Sequence, residues 1–170
     1  MNVNVKVNLV CTWIIKHVRD GKVIWQLEKE NFIPIEGGKA VLETIYRGRG
    51  SVYFTETNFY VGLYKGSVSK STTLAIIPNE PSGNGYSRQL CERSTVGWPT
   101  IEEDAGYWRI ISKELTFAAS GGNIGPVGGA FLCTASSGGA GTLLNIVAMG
   151  IERTIIAGDQ AIVQIKIKAK

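Results

Sequence analysis

Histidine is almost absent from this sequence, with one residue, His17, in a chain of 170. A catalytic dyad or triad built on histidine would have to use it, and a zinc site would find a single histidine ligand. His17 ends an alternating stretch and precedes an Asp-Gly pair, so we expect a partly exposed residue at a strand end. The sequence therefore predicts neither a histidine-dependent active site nor a histidine metal site.

Cysteine is scarce and irregularly placed. The three residues Cys11, Cys91 and Cys133 form no CxxC pair, and an odd number cannot be fully paired within one chain. We expect all three to be small buried hydrophobic side chains. The opening MNVNVKVNLV shows no basic-then-apolar signal segment, so we expect synthesis in a reducing cytoplasm.

Long runs of one residue class are also missing. No apolar run approaches the roughly 20 residues that cross a bilayer. The net charge is +4, yet no run of lysine and arginine is of the kind that follows a phosphate backbone. Lys166, Lys168 and Lys170 alternate with apolar residues, which predicts one solvated strand face. We expect no membrane span and no direct nucleic-acid partner.

Acidic and glycine-rich segments offer little chemistry. The densest acidic group, residues 102–104, lies between a proline and an Ala-Gly pair, which predicts a solvated turn without the spacing of an EF-hand loop. The glycine-rich stretches 120–129 and 136–141 lack the Gly-Lys-Ser/Thr ending of a P-loop and are interpreted as hairpin loops. We predict no catalytic residue, no cofactor and no metal site, and keep a carboxylate-based hydrolase as a third hypothesis.

Period-two alternation is abundant. Between residues 3 and 17 the odd positions are apolar and most even positions are polar, as in a strand with one buried face. Asp20-Gly21 separates this run from a second alternating run, residues 23–28, which is a strong hairpin signal. We predict a long N-terminal β-hairpin within residues 1–33.

A change of period after Pro34 predicts the only helix. Apolar residues there recur three and four apart, which favours a short amphipathic helix over residues 36–48 that ends near Gly48.

Beyond residue 58 the chain divides into short strand-like runs joined by Gly, Ser, Asn and Pro. This spacing is typical of two packed antiparallel sheets and not of βαβ units. We predict a single mainly β domain, 1–170, folded as an antiparallel β-sandwich or jelly roll with its core in residues 59–170. The predicted strands are 59–64, 85–91, one or two within 107–118, 127–134, 142–149 and 160–168.

The segment SGNGYSRQLCERSTVGW, residues 82–98, is the best candidate for a binding surface. Its Asn-Gly turn precedes a strand with Tyr86 and Arg88 on one face. No base lies nearby for catalysis, whereas tyrosine, tryptophan and arginine are enriched at protein interfaces. We identify Tyr86, Arg88, Trp98 and Trp108 as candidate interface residues. The alternative is a tyrosine and tryptophan in the core beside a solvated arginine.

Five segments, taken in order, resemble a family of small structural proteins of tailed bacteriophages: DGKVIWQLEKENFIPIEGGKAVLETIYRG, FYVGLYKG, GYSRQLCERSTVGW, KELTFAASGGNIGPVGGAFL and IIAGDQAIVQIKIKA. The resemblance implies a non-enzymatic virion component made in the host cytoplasm. The first role that this resemblance implies is that of a capsid decoration or cement protein, which binds the major capsid protein lattice at the capsid surface. A tail or fibre component is the alternative, and the resemblance brings no catalytic residues.

A second alternative is a carbohydrate-binding or receptor-binding β-sandwich domain. Trp13 and Trp25 fall on the apolar phase of their strands and are expected in the core, whereas Trp98 and Trp108 flank a loop and are candidates for stacking on sugars.

A virion component makes repeated symmetric contacts with its neighbours. An open sheet edge can supply such a contact by pairing with another chain, or lysines on the edge can prevent that pairing and so act as guards. We expect the first and last strands to be such edges, with Lys6, Lys16, Lys166 and Lys168 as guards. Pairing between subunits would make the protein a homo-oligomer, a dimer or trimer, among other virion proteins.

Overall fold

The computed structural model describes residues 9–48 and 58–169, and it is mainly β, with two antiparallel sheets and one α-helix. The predicted antiparallel β-sandwich is confirmed. The elements are β1 (Leu9–Arg19), β2 (Lys22–Glu30), α1 (Ile35–Arg47), β3 (Phe59–Tyr64), β4 (Gln89–Cys91), β5 (Thr100–Asp104), β6 (Tyr107–Ile111), β7 (Leu115–Ala118), β8 (Ile124–Cys133), β9 (Leu143–Ile155) and β10 (Gln160–Ala169).

Sheet A has the strand order β2-β1-β10-β6-β5, and β7 pairs with the first half of β10. The prediction that the first and last strands are edges is wrong, because β1 and β10 pair with each other from Leu9↔Ala169 to Val18↔Gln160 in the middle of the sheet. The edges are β2 and β5. Lys6 and Lys170 lie outside the described residues.

The predicted hairpin is confirmed for its described part, β1 and β2, which are joined at Asp20 and Gly21 and bulge at His17/Val18. Residues 3–8, which the alternation included in the first strand, lie outside the described residues.

Sheet B has the order β4-β3-β8-β9, and both of its faces are covered. One face packs against sheet A around Val61, Leu63 and Val147. The opposite face carries a second cluster around Tyr64, Phe131 and residues of the 65–81 segment, which includes a 3-10 turn at Leu74–Ile76. Near-continuous apolar runs such as β8 and the first half of β9 suit a sheet buried on both sides.

α1 begins one residue before its predicted start and ends at Arg47, with Gly48 as a left-handed cap. It packs against β9, where the backbone of Gly37 lies so close to the carbonyls of Leu143 and Leu144 that a Cβ atom would not fit. Glu36 fixes the helix start, because its Oε2 accepts hydrogen bonds from the backbone N–H groups of Leu74 (3.1 Å) and Leu143 (2.9 Å).

One side of the sandwich is closed by polar contacts between the sheets. The indole Nε1 of Trp13 donates to Asn145 Oδ1 at 2.7 Å, and the Asn31 amide donates to Asn145 Oδ1 and to the carbonyl of Ile146. Lys29 Nζ donates to the carbonyl of Ala148 at 2.8 Å. These contacts cover part of the free edge of β9.

Three local predictions are wrong. Residues 102–104 belong to strand β5 and not to a solvated turn, because the backbone of β5 pairs with β6 from Thr100↔Ile111 to Asp104↔Tyr107. Residues 124–126 of the predicted glycine-rich loop belong to β8. The strand expected over 85–91 is regular only at β4, residues 89–91.

Candidate functional site

Tyr86 is half-buried and is held by hydrogen bonds at its phenol oxygen. The hydroxyl accepts from the backbone N–H of Leu63 at 2.9 Å and donates to Glu80 Oε1 at 2.8 Å, while the ring stacks on Phe117 with centroids 5.8 Å apart. Burial raises the pKa of the Tyr86 phenol well above its usual range. Tyr86 therefore packs the segment before β4 against β3 and β7.

Arg88 is 8% exposed, so the alternative of a solvated arginine is wrong. Its Nε and Nη2 bind the two oxygens of Glu80 at 2.8 and 2.7 Å, and Nη1 and Nη2 donate to the carbonyls of Ala135 (2.8 Å) and Gly138 (2.7 Å). The guanidinium also lies 5.1 Å from the ring centroid of Phe131. Arg88 thus joins β4, the 79–81 segment and the β8–β9 loop.

The two candidate tryptophans differ in environment. Trp98 is 9% exposed and belongs to the core between the sheets, whereas Trp108 on β6 is 62% exposed. Of the four candidate interface residues, Trp108 alone offers a large accessible surface; the interface role of all four stays a prediction. Trp25, expected in the core, is half-buried beneath the guanidinium of Arg153, which lies 4.7 Å from its ring centroid.

Trp108 belongs to an apolar surface on the β5–β6 hairpin. Ile101 pairs with Ile110, which in turn pairs with Ile167, and the side chains of Ile110 and Ile167 pack against the core. Because side chains alternate along a strand, Ile101 and Trp108 lie on this same inward face of sheet A. Ile101 is nevertheless 68% exposed. The hairpin therefore extends beyond the part of sheet A that sheet B covers.

Ion pairs occupy the outward face of this hairpin. Arg109 Nε donates to Glu102 Oε1 at 2.7 Å, and Arg109 Nη1 lies 3.1 Å from Asp104 Oδ2, which also accepts from Lys168 Nζ at 3.0 Å. The Lys168 hydrogen bond and the nearby Arg109 charge lower the pKa of Asp104. These carboxylates are neutralised within the sheet.

The central lysines of sheet A are paired in the same way. Lys16 contacts Glu114 at 2.6 Å and Lys166 contacts Glu28 at 3.1 Å. These lysines therefore belong to an ion-paired sheet face and do not guard an edge.

His17 is buried, contrary to the expectation of a partly exposed residue. Its Nε2 lies 2.7 Å from Asp159 Oδ2, and Arg19 binds the same carboxylate with Nη2 at 2.9 Å. The Arg19 hydrogen bond, with His17 second, lowers the pKa of Asp159. The cluster ties the end of β1 to the turn before β10, a contact that sequence spacing did not indicate.

The three cysteines are buried, as predicted. Burial raises the pKa of the Cys11 and Cys91 thiols to about 12 and that of Cys133 to about 11. Within residues 9–48 and 58–169, no three Cys, His, Asp or Glu side chains are grouped so that they could hold a metal ion.

The family described as podophage GP4 fiber I protein gp80 matches residues 38–168, which is most of the chain. The chain belongs to this family. The gp80 family match supports a tailed-phage structural protein, as the resemblance of the five segments implied. A search of curated proteins finds no match.

The part that matches the gp80 family begins within α1 and ends within β10. It therefore includes the β5–β6 hairpin and Arg88 with all its partners, while the hairpin of β1 and β2 precedes it. No helix in the described part of the chain is long and apolar enough to cross a membrane.

Proposed function

We propose that this protein is a non-enzymatic structural component of a virion fibre. The observation that carries the proposal is the gp80 family match over residues 38–168, since that family is named for a fibre protein. The sequence resemblance placed capsid decoration first, and the family match gives the fibre the stronger support.

The interior of the fold suits a rigid structural subunit. Buried hydrogen bonds join the two sheets at Trp13 and Asn145, and the Arg88–Glu80 pair fixes the loops at the other edge of sheet B. Buried hydrogen bonds of this kind make a fold more rigid and its packing more specific. A rigid sandwich is what a structural subunit requires.

A carbohydrate-binding or receptor-binding role for the fibre depends on Trp108. Its ring is accessible on the β5–β6 hairpin, whereas Trp98 is buried in the core. Binding of the isolated protein to a glycan array, lost in the Trp108→Ala variant, would support this second function; an array without signal would remove it.

Locating the chain in purified particles tests the fibre proposal. The particles come from the phage that encodes the protein, and an epitope tag on the chain is followed by immunogold labelling and by quantitative mass spectrometry against the major capsid protein. We expect label on fibres and a copy number far below that of the capsid protein. Label distributed over the capsid, with a copy number close to that of the capsid protein, would establish decoration instead.

A further inference from the structure

Sheet A ends in two strands, β2 and β5, that each pair with a single neighbour in the described structure. Each strand therefore presents a row of backbone N–H and C=O groups that another strand can bind. Sheet B differs, because its edge strand β4 has three residues and β9 is partly covered by Lys29 and Asn31. β2 and β5 are therefore the edges at which the β2-to-β5 path of sheet A can be extended.

Both edges of sheet A carry exposed apolar side chains. On the β5 side these are Ile101 and Trp108, which continue the inward face of the sheet to its rim. On the β2 side Ile24 is 45% exposed and lies on the same strand face as Lys22, while Val23, 52% exposed, lies on the opposite face. A single exposed apolar residue is ordinary, but exposed apolar side chains at both rims of one sheet give each rim a surface that burial would stabilise.

The unpaired charges of β5 and of the first half of β2 have opposite sign. β5 contains three carboxylates, of which Glu102 and Asp104 are paired inside the sheet, while Glu103 is exposed and has no hydrogen-bond or ion-pair partner among the described residues. The first half of β2, residues 22–26, contains one charge, Lys22, which likewise has no such partner in the described structure. Contact between like edges would bring equal charges together, whereas contact between unlike edges brings Lys22 and Glu103 to one interface.

We propose that the β5 edge of one copy binds residues 22–26 at the β2 edge of a second copy, so that sheet A continues from chain to chain. The contact is heterologous and leaves one β2 edge and one β5 edge free, so it extends into a row or closes into a ring. Five residues on each side form a small interface, and we therefore expect a weak contact that strengthens when many copies are arrayed. The inference stands on the two edges and does not depend on the fibre assignment.

Cysteine cross-linking of the purified protein tests this contact. The native cysteines are buried, so introduced surface thiols react selectively with a short bis-maleimide. In an antiparallel pairing with Glu103 opposite Lys22, Ile101 lies opposite Ile24 and on the same side of the continued sheet. A chain with both Ile24→Cys and Ile101→Cys should therefore give a ladder of covalent dimers, trimers and higher species on a denaturing gel. A chain with Val96→Cys and Ile101→Cys is the control, because Val96 is 64% exposed and belongs to neither edge strand.

The single variants separate the kinds of contact. Ile24→Cys and Ile101→Cys chains should each remain monomeric alone and should give one heterodimer band when mixed. Efficient dimers of either single variant would show a contact between like edges and overturn the proposal. A ladder no stronger than that of the Val96 control would show that the edges do not bind a second copy and would also overturn it.

Charge reversal tests the choice of edges. In the background of the two introduced cysteines, Lys22→Glu or Glu103→Lys should lower the cross-linking yield about two- to fivefold, the range of an exposed ion pair. Both reversals in the same chain should restore the yield. Circular dichroism and thermal melting confirm that each variant is folded, and failure of the double reversal to restore the yield would contradict the pairing of these two edges.

Discussion

The two sheets of this sandwich differ in how their faces are covered and in where their charged side chains lie. Sheet A is covered on one side and exposes a face of ion pairs such as Lys166–Glu28 and Lys16–Glu114, whereas sheet B is buried on both sides. The most buried guanidinium described, that of Arg88, nevertheless lies against sheet B over the ring of Phe131, and the Arg88 side chain is 3% exposed. We infer from this contrast that the solvent exposure of a charged side chain, more than the number of its ion pairs, decides how much that side chain contributes to the free energy of unfolding.

Replacement of Arg88 by methionine should have the largest effect. The variant keeps an apolar side chain but leaves the Glu80 carboxylate and the carbonyls of Ala135 and Gly138 without their donor. Breaking a buried pair in this way costs about 3 to 5 kcal/mol. Urea unfolding followed by tryptophan fluorescence measures the loss.

Arg109→Met is the matched control on sheet A. Arg109 contacts two carboxylates, Glu102 and Asp104, but its side chain is 30% exposed. We expect a much smaller loss than for Arg88→Met, because solvent-accessible ion pairs contribute little to stability. Equal losses for the two arginine variants would refute the contrast between the sheets.

The second-largest effect is expected where an aromatic ring covers a glycine in sheet B. A Cβ atom at Gly62 would overlap the ring of Phe131, its partner across β3 and β8. Gly62→Ala should therefore destabilise the protein by about 1 to 3 kcal/mol through overpacking. Phe131→Leu in the same chain removes the overlapping atoms, so the two changes together should cost less than the sum of the separate losses, as measured in a double-mutant cycle.

The helix on sheet B offers a neighbouring pair of glycines with opposite expected behaviour. A Cβ atom at Gly37 would meet the β9 backbone, with the carbonyl oxygen of Leu143 at 2.8 Å, whereas nothing lies within 4 Å of one at Gly38. Gly37→Ala should lower the melting temperature, and Gly38→Ala should raise stability by up to about 1 kcal/mol because alanine favours the helix. A stabilised Gly37→Ala variant would contradict the close docking of α1.

Much of the fold could be predicted because local patterns and tertiary packing agree. The hairpin β1–β2, the helix α1 and strand β3 have uninterrupted apolar periods and clear turn residues, and all three are present. Strand β5 was missed because Thr-Ile-Glu-Glu-Asp contains consecutive acids, which are poor strand formers in isolation. Backbone pairing with β6 stabilises this strand, and Arg109 and Lys168 neutralise carboxylates that local strand propensity does not favour.

The candidate site was less predictable, since it depends on contacts between distant segments. Arg88 looked solvated because neither its partner Glu80 nor the carbonyl of Gly138 is recognisable from spacing. His17 looked exposed because its partner Asp159 lies at the far end of the chain. Trp108 was recognised as a loop-flanking tryptophan, but the exposed Ile101 beside it required the register of β5 and β6.

The buried Asp159 carboxylate should make stability depend on pH at acidic values. Its folded-state pKa is lowered by Arg19 and His17, so the unfolded chain binds a proton more readily and stability falls as the pH drops below about 4, the ordinary aspartate value. Asp159→Asn should flatten the pH dependence of the free energy of unfolding below that point. Asp20→Asn, an exposed change in the adjacent turn, is the control and should leave the slope unchanged; equal slopes in all three proteins would count against the cluster.

The smallest effect is expected on the solvated face of sheet A. Lys166→Met removes the ion pair with Glu28 but keeps the stem of the side chain, which lies on a strand in the centre of the sheet. Since Glu28 is half exposed, water replaces the lost partner, and the free energy of unfolding should change by no more than about 0.5 kcal/mol. Measuring the variant in low and high salt sharpens the result, because screening should remove even this difference. A loss comparable to that of Arg88→Met would show that the outer face of sheet A depends on its ion pairs as strongly as the interior of sheet B does.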